Sequence, residues 1–370
     1  MDDSRWMARA LALAARGRGL TSPNPMVGAV VVQDGRVVGE RYHERAGGPH
    51  AEAAALAEAG ARARGATLYV TLEPCNHVGR TPACVEAVVR AGVRRVVAAT
   101  RDPNPRVAGD GAGVLREAGI EISLGCLERE ARDLNRVFFT AMERQRPHVT
   151  LKWAMTLDGK VAAADRSSRW ITGEAARREA HRLRSQSDAI VTGIGTVLAD
   201  DPALTVRLDR PWPREPYRVV VDSRARLPLG ATLLHTGTLA RVLVAVGEEA
   251  PAARIAAIEA SGATVLQCKS RDGRVDVGAL CAQLFALDVI GVLLEAGSEL
   301  TGSFVQAGLA DRVAVFVAPK LLGGAAAPSP AGGPGLALGE ALRLTDLTVR
   351  PLGDDWLFEG AVNDSRVRPS

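Results

Sequence analysis

Pro49-His50-Ala51-Glu52 and, further on, Glu73-Pro74-Cys75-Asn76-His77-Val78-Gly79-Arg80-Thr81-Pro82-Ala83-Cys84 form the stretch that decides how this chain is read. One imidazole (His50) and two thiols (Cys75, Cys84) supply three ligands for a tetrahedral zinc. The fourth position is left to water, which separates a catalytic zinc site from a closed structural one. Glu52 follows His50 by two residues, in the first turn of an expected helix over 51–59, where it can move a proton without ligating the metal. A structural knuckle would want a fourth protein ligand at short spacing, and only His77 offers itself.

His-x-Glu followed by Pro-Cys and a second Cys resembles the zinc deaminases of nucleobases, in which an activated water attacks an amidine carbon. In deaminases of nucleic acids two residues separate the cysteines; here eight do, Asn76 to Ala83. That longer loop, with His77, Gly79, Arg80, Thr81 and Pro82, resembles the pyrimidine deaminase of riboflavin biosynthesis. Asn76 and Ala83 depart from the Ser and Pro of that family, and neither is a ligand.

A chain of 370 residues is long enough for two domains, each with its own core. The net charge of +4 is small for that length, and aromatics at 4% leave few platforms for stacking bases, so a nucleic-acid partner is not expected. Five cysteines are an odd number for a disulfide framework; Cys126, Cys268 and Cys281 are expected to be reduced and buried. Met1-Asp2-Asp3-Ser4-Arg5-Trp6 carries no signal pattern and no apolar run reaches membrane length, so the expected location is the cytoplasm, without membrane attachment. Of only four lysines, Lys152, Lys160, Lys269 and Lys320, several fall inside motifs of the second half.

Residues 4–15 have helical apolar spacing. Thr21-Ser22-Pro23-Asn24-Pro25 must be a loop, since two prolines interrupt any regular element. Gly28–Val32 and Arg36–Glu40 are β-rich runs joined by Asp34-Gly35, a hairpin signal. Strand 67–72 leads into Pro74-Cys75, and a helix from Cys84 to Ala91, strand 94–100, a helix near 110–118, strand 120–124 and one long helix near 127–143 follow. This order implies a mixed sheet with helices on both faces. Arg144-Gln145-Arg146-Pro147 ends the pattern and sets the expected domain boundary, 1–146 and 147–370. Beyond it the chain again alternates, with strands at 148–155, 188–193, 217–222, 241–246, 263–267, 289–294 and 311–318. Helices are expected near 174–185, 250–260, 276–286 and 299–306, and a loop over 323–335.

Gly193-Ile194-Gly195-Thr196 and Glu295-Ala296-Gly297-Ser298-Glu299-Leu300-Thr301-Gly302-Ser303 each follow a strand and open toward a helix, where free backbone N–H groups suit an anion. A Rossmann fingerprint would want glycine where Leu198 stands. Instead, Lys152-Trp153-Ala154-Met155-Thr156-Leu157-Asp158-Gly159-Lys160, Ser168-Arg169-Trp170-Ile171-Thr172, Asp200-Asp201-Pro202-Ala203-Leu204-Thr205-Val206-Arg207, Val221-Asp222-Ser223-Arg224 and Pro319-Lys320-Leu321-Leu322-Gly323-Gly324 resemble the reductase half of the bifunctional riboflavin-pathway enzymes. Thr156 and Ala296 depart from that family's Ser and Gly.

The resemblance implies a cytidine-deaminase-like three-layer αβα domain followed by a dihydrofolate-reductase-like α/β domain, with zinc and NADPH as cofactors. It implies that His50, Cys75 and Cys84 hold zinc, that Glu52 shuttles protons, and that Asn24 touches the base. In the second half it implies cofactor contacts from Ala154, Trp170, Thr196, Asp200, Ser223, Gly297, Ser298, Glu299, Leu300, Thr301, Gly302 and Ser303. Substrate contacts fall to Ser168, Arg184, Leu204, Arg207 and Glu295, with Arg184 and Arg207 suited to clamp a 5′-phosphate. Lys152 and Asp200 are the polar residues placed to orient the reacting sugar. The implied activity is deamination of a diaminopyrimidinone ribosylamine 5′-phosphate, then reduction of its ribosyl group to ribityl; the expected partner is that small pyrimidine ribosyl phosphate, with a homo-oligomer as the assembly. A nucleotide- or tRNA-editing deaminase with an accessory domain, and a non-catalytic zinc-stabilised nucleotide-binding module, remain the alternatives at this point.

Overall fold

The computed structural model describes residues 3–76, 83–104, 111–238 and 241–364, and the statements below concern these. His77, Gly79, Arg80, Thr81 and Pro82, singled out above, lie outside the described residues. The chain divides into two compact units, Met1–Gln145 and Arg146–Ser370.

In the first unit the order is α1 (Asp3–Ala14), β1 (Gly28–Gln33), β2 (Arg36–Tyr42), α2 (Ala51–Ala59), β3 (Thr67–Val70), α3 (Cys84–Ala91), β4 (Arg95–Ala98), α4 (Gly111–Glu117), β5 (Glu121–Leu124), α5 (Glu128–Leu134) and α6 (Arg136–Arg144). The sheet runs β2-β1-β3-β4-β5, antiparallel around β1 and parallel from β3 to β5. Asp34 and Gly35 both take positive φ, 50° and 73°, as a tight hairpin demands. Helices cover both faces at glycines. A Cβ on Gly28 would stand 2.0 Å from the Ala10 carbonyl oxygen of α1, and one on Gly39 would stand 2.3 Å from that of Ala55 in α2. Trp6, Met7 and Ala10 pack with Val30, Val32, Tyr69 and Val97 on the α1 side. This is the expected three-layer arrangement.

One expectation needs correction. The long helix near 127–143 is two helices, broken at Asn135. The Asn135 side chain accepts from Met26 N at 2.8 Å and donates to Met26 O at 2.8 Å. A residue that serves the loop following Asn24 interrupts the helix that contains it.

The second unit has β6 (His148–Thr156), α7 (Glu174–Ser185), β7 (Ala189–Gly193), α8 (Ile194–Asp200), β8 (Tyr217–Val221), β9 (Val242–Val246), α9 (Ala252–Ala260), β10 (Thr264–Gln267), β11 (Ser270–Arg271), β12 (Arg274–Val275), α10 (Val277–Ala286), β13 (Gly291–Leu294), α11 (Ser298–Gln306), β14 (Arg312–Ala318), β15 (Arg343–Leu352) and β16 (Asp355–Asn363). Its main sheet runs β10-β9-β8-β7-β13-β6-β14-β16-β15, parallel up to β14 and antiparallel beyond. Every residue of β13 is buried, as its unbroken apolar run requires. The C-terminal hairpin β15–β16 and the short β11–β12 hairpin were not foreseen, while α8 is the helix toward which Gly193–Thr196 opens. Because β13 returns between β7 and β6, a crevice opens beyond the strand ends, where ligands bind in open α/β sheets.

Candidate active sites

In the first unit, His50 is the N-cap of α2, Cys84 the first residue of α3, and Cys75 sits in the loop after β3. That loop is fixed from the far side: Glu73 N donates to Thr100 O at 2.9 Å, and Glu73 Oε1 accepts from Ala112 N at 2.9 Å. The ligand atoms of His50, Cys75 and Cys84 all lie within 4.8 Å of one another. His50 Nδ1 stands 3.1 Å from Cys84 Sγ and 3.6 Å from Cys75 Sγ, close to the edges of a tetrahedron with metal bonds of about 2.0–2.3 Å. One imidazole and two thiols are the donor types zinc takes, so the residues fit the metal. The Cys84 thiol and the His50 imidazole both favour a thiolate on Cys75 and lower its pKa. That sulfur and burial push the Cys84 thiol up in turn.

Glu52, in the first turn of α2, is 4% exposed. Burial pushes its carboxyl up to about 7, so it can carry a proton near neutral pH. Sequence reasoning missed His43. It is buried, its ring meets that of His50 edge-on at 5.5 Å, Nδ1 lies 3.0 Å from Pro49 O, and Nε2 lies 3.2 Å from Asn24 Nδ2. Burial holds its pKa down, so the neutral ring donates to Pro49 and accepts from Asn24. The amide oxygen of Asn24 is thereby left for another partner.

The second unit carries a cleft of about 1020 Å³ lined by Lys152, Ala154, Ser168, Trp170, Thr196, Asp200, Ser223, Glu295, Gly297, Ser298, Glu299, Leu300 and Ser303, among others. Most of the anticipated cofactor residues thus meet in one place. Two do not face it: Thr301 is buried, with its hydroxyl donating to Ala296 O at 3.4 Å, and Gly302 packs where a Cβ would stand 2.1 Å from Gly332 O. Bare backbone faces the cleft. A Cβ on Gly195 would meet nothing within 4 Å, and one on Gly297 would stand 3.8 Å from Thr196 Oγ1. No side chain caps the N-terminus of α11, so its free N–H groups suit a diphosphate. The cleft therefore fits a dinucleotide. Arg177, also unforeseen, lies over the Trp170 ring at 4.7 Å and donates to Thr172 O at 3.0 Å, which holds the half-exposed indole at the rim.

Arg184, Leu204 and Arg207 are not among the residues lining the cleft. Arg184 is spent on Glu295, which also accepts from Lys152 Nζ at 3.2 Å. Burial alone would raise the Glu295 carboxyl, but Arg184 and Lys152 hold it well below the usual range. The expected arginine clamp is thus rearranged, with Arg184 neutralised by a carboxylate and Arg207 beside a histidine. Arg207 Nε lies 3.3 Å from His181 Nε2. Burial, Arg184 and Arg207 push that histidine down to about 4, which keeps it neutral. Leu204 is buried with φ 50°, in the bend that carries the chain from Asp200 to Arg207. Ser168 Oγ lies 3.5 Å from Asp200 Oδ1.

Residues 1–100 match the cytidine and deoxycytidylate deaminase zinc-binding region, and residues 147–358 match the RibD C-terminal domain. The riboflavin biosynthesis protein RibD of Aquifex aeolicus (strain VF5) is 43% identical over 361 residues, 95% of this chain and 96% of its own length. Acinetobacter baumannii RibD (form 1) superposes with a TM-score of 0.89 at 40% identity, covering 98% of this chain and 99% of its own. The Thermotoga maritima diaminohydroxyphosphoribosylaminopyrimidine deaminase/5-amino-6-(5-phosphoribosylamino)uracil reductase gives 0.84 at 36% identity, with coverage of 98% and 99%. The match across the second unit favours a reductase there over an accessory domain of an editing deaminase. A zinc-binding deaminase region and a RibD C-terminal region in one chain, with near-full-length likeness to RibD proteins in sequence and in structure, lead to one conclusion: this chain belongs to the RibD family of bifunctional deaminase–reductases of riboflavin biosynthesis.

Proposed function

We propose that residues 1–146 hydrolyse the 2-amino group of 2,5-diamino-6-ribosylamino-4(3H)-pyrimidinone 5′-phosphate, releasing ammonia, and that residues 147–370 reduce the ribosyl group of the product to ribityl with NADPH. The observation that carries the first half is the His50–Cys75–Cys84 cluster beside a buried carboxyl, Glu52. Zinc held by these three donors supplies Lewis acidity toward a water nucleophile. Glu52 takes one proton of that water and passes it to the ring nitrogen, then takes the remaining hydroxyl proton of the adduct and delivers it to the amine as the C–N bond breaks and the carbonyl forms. Asn24, oriented by His43, presents its amide oxygen to the pyrimidine.

In the second half NADPH supplies the hydride. Lys152, held by Glu295, and Asp200, beside Ser168, orient the sugar at the end of the cleft, and Arg207 binds the 5′-phosphate. The protein works as a homo-oligomer in the cytoplasm. Two observations support that: β15 is exposed along most of its length, with Leu347 and Val349 open to solvent, and none of the five cysteines is in a disulfide, as in a reducing compartment. No described helix is long and apolar enough to cross a membrane.

The test is incubation of the purified protein with the diaminopyrimidinone phosphate, with and without NADPH, following ammonia and NADPH absorbance. Ammonia release independent of NADPH, followed by NADPH oxidation, is expected. No ammonia from a zinc-loaded protein would exclude the reading.

A further inference from the structure

The geometry points to Arg224 and Arg226 as the residues that read the 2′-phosphate of NADPH and so set its preference over NADH; this rests on the cleft of the second unit being the cofactor site. The direction of the cofactor follows from what lies along that cleft. Lys152, on β6, marks the polar, sugar-orienting end; the uncapped start of α11 follows β13, the next strand, and the turn after β8 lies two strands further on. The adenosine half is then left with the turn after β8, where Ser223, Arg224 and Arg226 line the wall.

That turn is built to present its arginines. Asp222, Ala225 and Leu227 are 0%, 1% and 0% exposed, while Arg224 and Arg226 between them are exposed. Ala225 takes φ 53°, its N–H donates to Asp222 O at 3.0 Å, and Leu227 N donates to Asp222 Oδ2 at 2.7 Å. A carboxylate facing the cleft here would repel a phosphate; Asp222 is instead turned inward and bound to the turn it stabilises. Ser223 Oγ accepts from Val275 N at 2.9 Å and so ties the β11–β12 hairpin to the same spot.

The hairpin arginines are matched with acids, Arg271 with Asp276 at 3.3 Å and Arg274 with Glu299 at 3.5 Å. Of the turn arginines, Arg226 has one long ion pair, to the buried Asp222, and among the described residues Arg224 has none. Arg226 Nε is 3.7 Å from Asp222 Oδ1, an oxygen without a hydrogen-bond partner, and among the described residues the Arg224 guanidinium has neither a hydrogen bond nor an ion pair. Arg224, without a partner, and Arg226, held only at 3.7 Å by the inward-turned Asp222, both line this wall and suit the dianion of a phosphate monoester.

The test is calorimetric binding to the full-length protein of NADPH, NADH and the fragments 2′,5′-ADP and 5′-AMP. Arg224→Gln and Arg226→Gln are each expected to weaken NADPH and 2′,5′-ADP about 10- to 100-fold while NADH and 5′-AMP change by less than about threefold. Equal losses on both pairs of ligands, or unchanged selectivity in both variants, would overturn the assignment. A wild-type protein that binds neither NADPH nor 2′,5′-ADP would overturn the cofactor reading of the cleft with it. Arg224 has an exposed side chain without partners, so its variant keeps the test decisive if Arg226→Gln proves unfolded by thermal melt.

Discussion

Arg184 and Glu295, on α7 and just beyond β13, meet as a two-pronged pair: Nε donates to Oε1 at 2.6 Å and Nη2 to Oε2 at 3.0 Å. Their side chains are 13% and 10% exposed, so water screens the pair little. Removing one partner of a buried pair strands the other charge, at a cost of about 3–5 kcal/mol. Glu295→Gln, which leaves both Arg184 and Lys152 without their carboxylate, should therefore lower the unfolding free energy of the second unit by about that much, read from urea denaturation by tryptophan fluorescence. A loss under about 1 kcal/mol, the range of exposed pairs, would mean that the pair is open to water in solution.

The same pair makes a pH prediction. The Glu295 carboxyl is lowered in the folded chain, Arg184 and Lys152 overcoming the burial that by itself raises it. A group lowered on folding contributes its stability fully above its unfolded pKa, about 4.3, and loses it as pH falls through the folded value. Unfolding free energy measured against pH should thus fall less steeply below about pH 4.3 in Glu295→Gln than in the wild type, after starting lower at neutral pH. Parallel curves would show that Glu295 does not carry this dependence.

The contrast between the legible and the illegible follows sequence distance. The Asp34-Gly35 hairpin and the helix over 51–59 are written in local spacing and appear where that spacing puts them, and His50, Cys75 and Cys84 come together as a cluster able to hold a metal. Asn135 breaks its helix for the sake of Met26, and Arg184 turns to Glu295; both partners lie more than a hundred residues away, beyond any local pattern. The β15–β16 hairpin was missed for another reason. Nearly every residue of β15 is exposed, so no buried face imposes a clear alternation on it. His43 was overlooked because a lone histidine carries no spacing signal; only the fold sets its ring between Asn24 and His50.

Metal content tests the ligand set directly. Wild-type protein should carry about one zinc per chain, and Cys84→Ser, which removes a buried sulfur from the cluster, should lose most of it on elemental analysis. Full retention of zinc in that variant would show that the cluster is not the site.

Arg207 is the remaining candidate for the 5′-phosphate once Arg184 is committed to Glu295. His181, neutral and beside it, offers one acceptor nitrogen to Arg207, and the terminal guanidinium nitrogens are left to a ligand. Arg207→Ala should raise the reductase KM for the phosphorylated substrate about 10- to 100-fold, with a much smaller change for the dephosphorylated analogue. Equal penalties on both would remove Arg207 from phosphate binding.

The two chemistries should separate by substitution on either side of Pro147. Glu52 is a buried carboxyl beside the His50–Cys75–Cys84 cluster, and Glu52→Gln keeps its shape while removing the base. Deamination should fall by about 10²–10⁴-fold. The second unit has its own core around Val149, Val191, Val219 and Leu294 and its own cleft, so the variant should still oxidise NADPH when given the deaminated compound. Conversely, Lys152→Ala or Asp200→Ala should stall reduction while ammonia release continues, since neither residue belongs to the unit that holds the zinc ligands. The assay is crossed, each variant against each substrate, with folding checked by thermal melt. A folded Glu52→Gln protein that had lost NADPH oxidation on the deaminated compound would falsify the two-site reading. One composite site, or obligatory coupling between the units, would then have to account for both reactions.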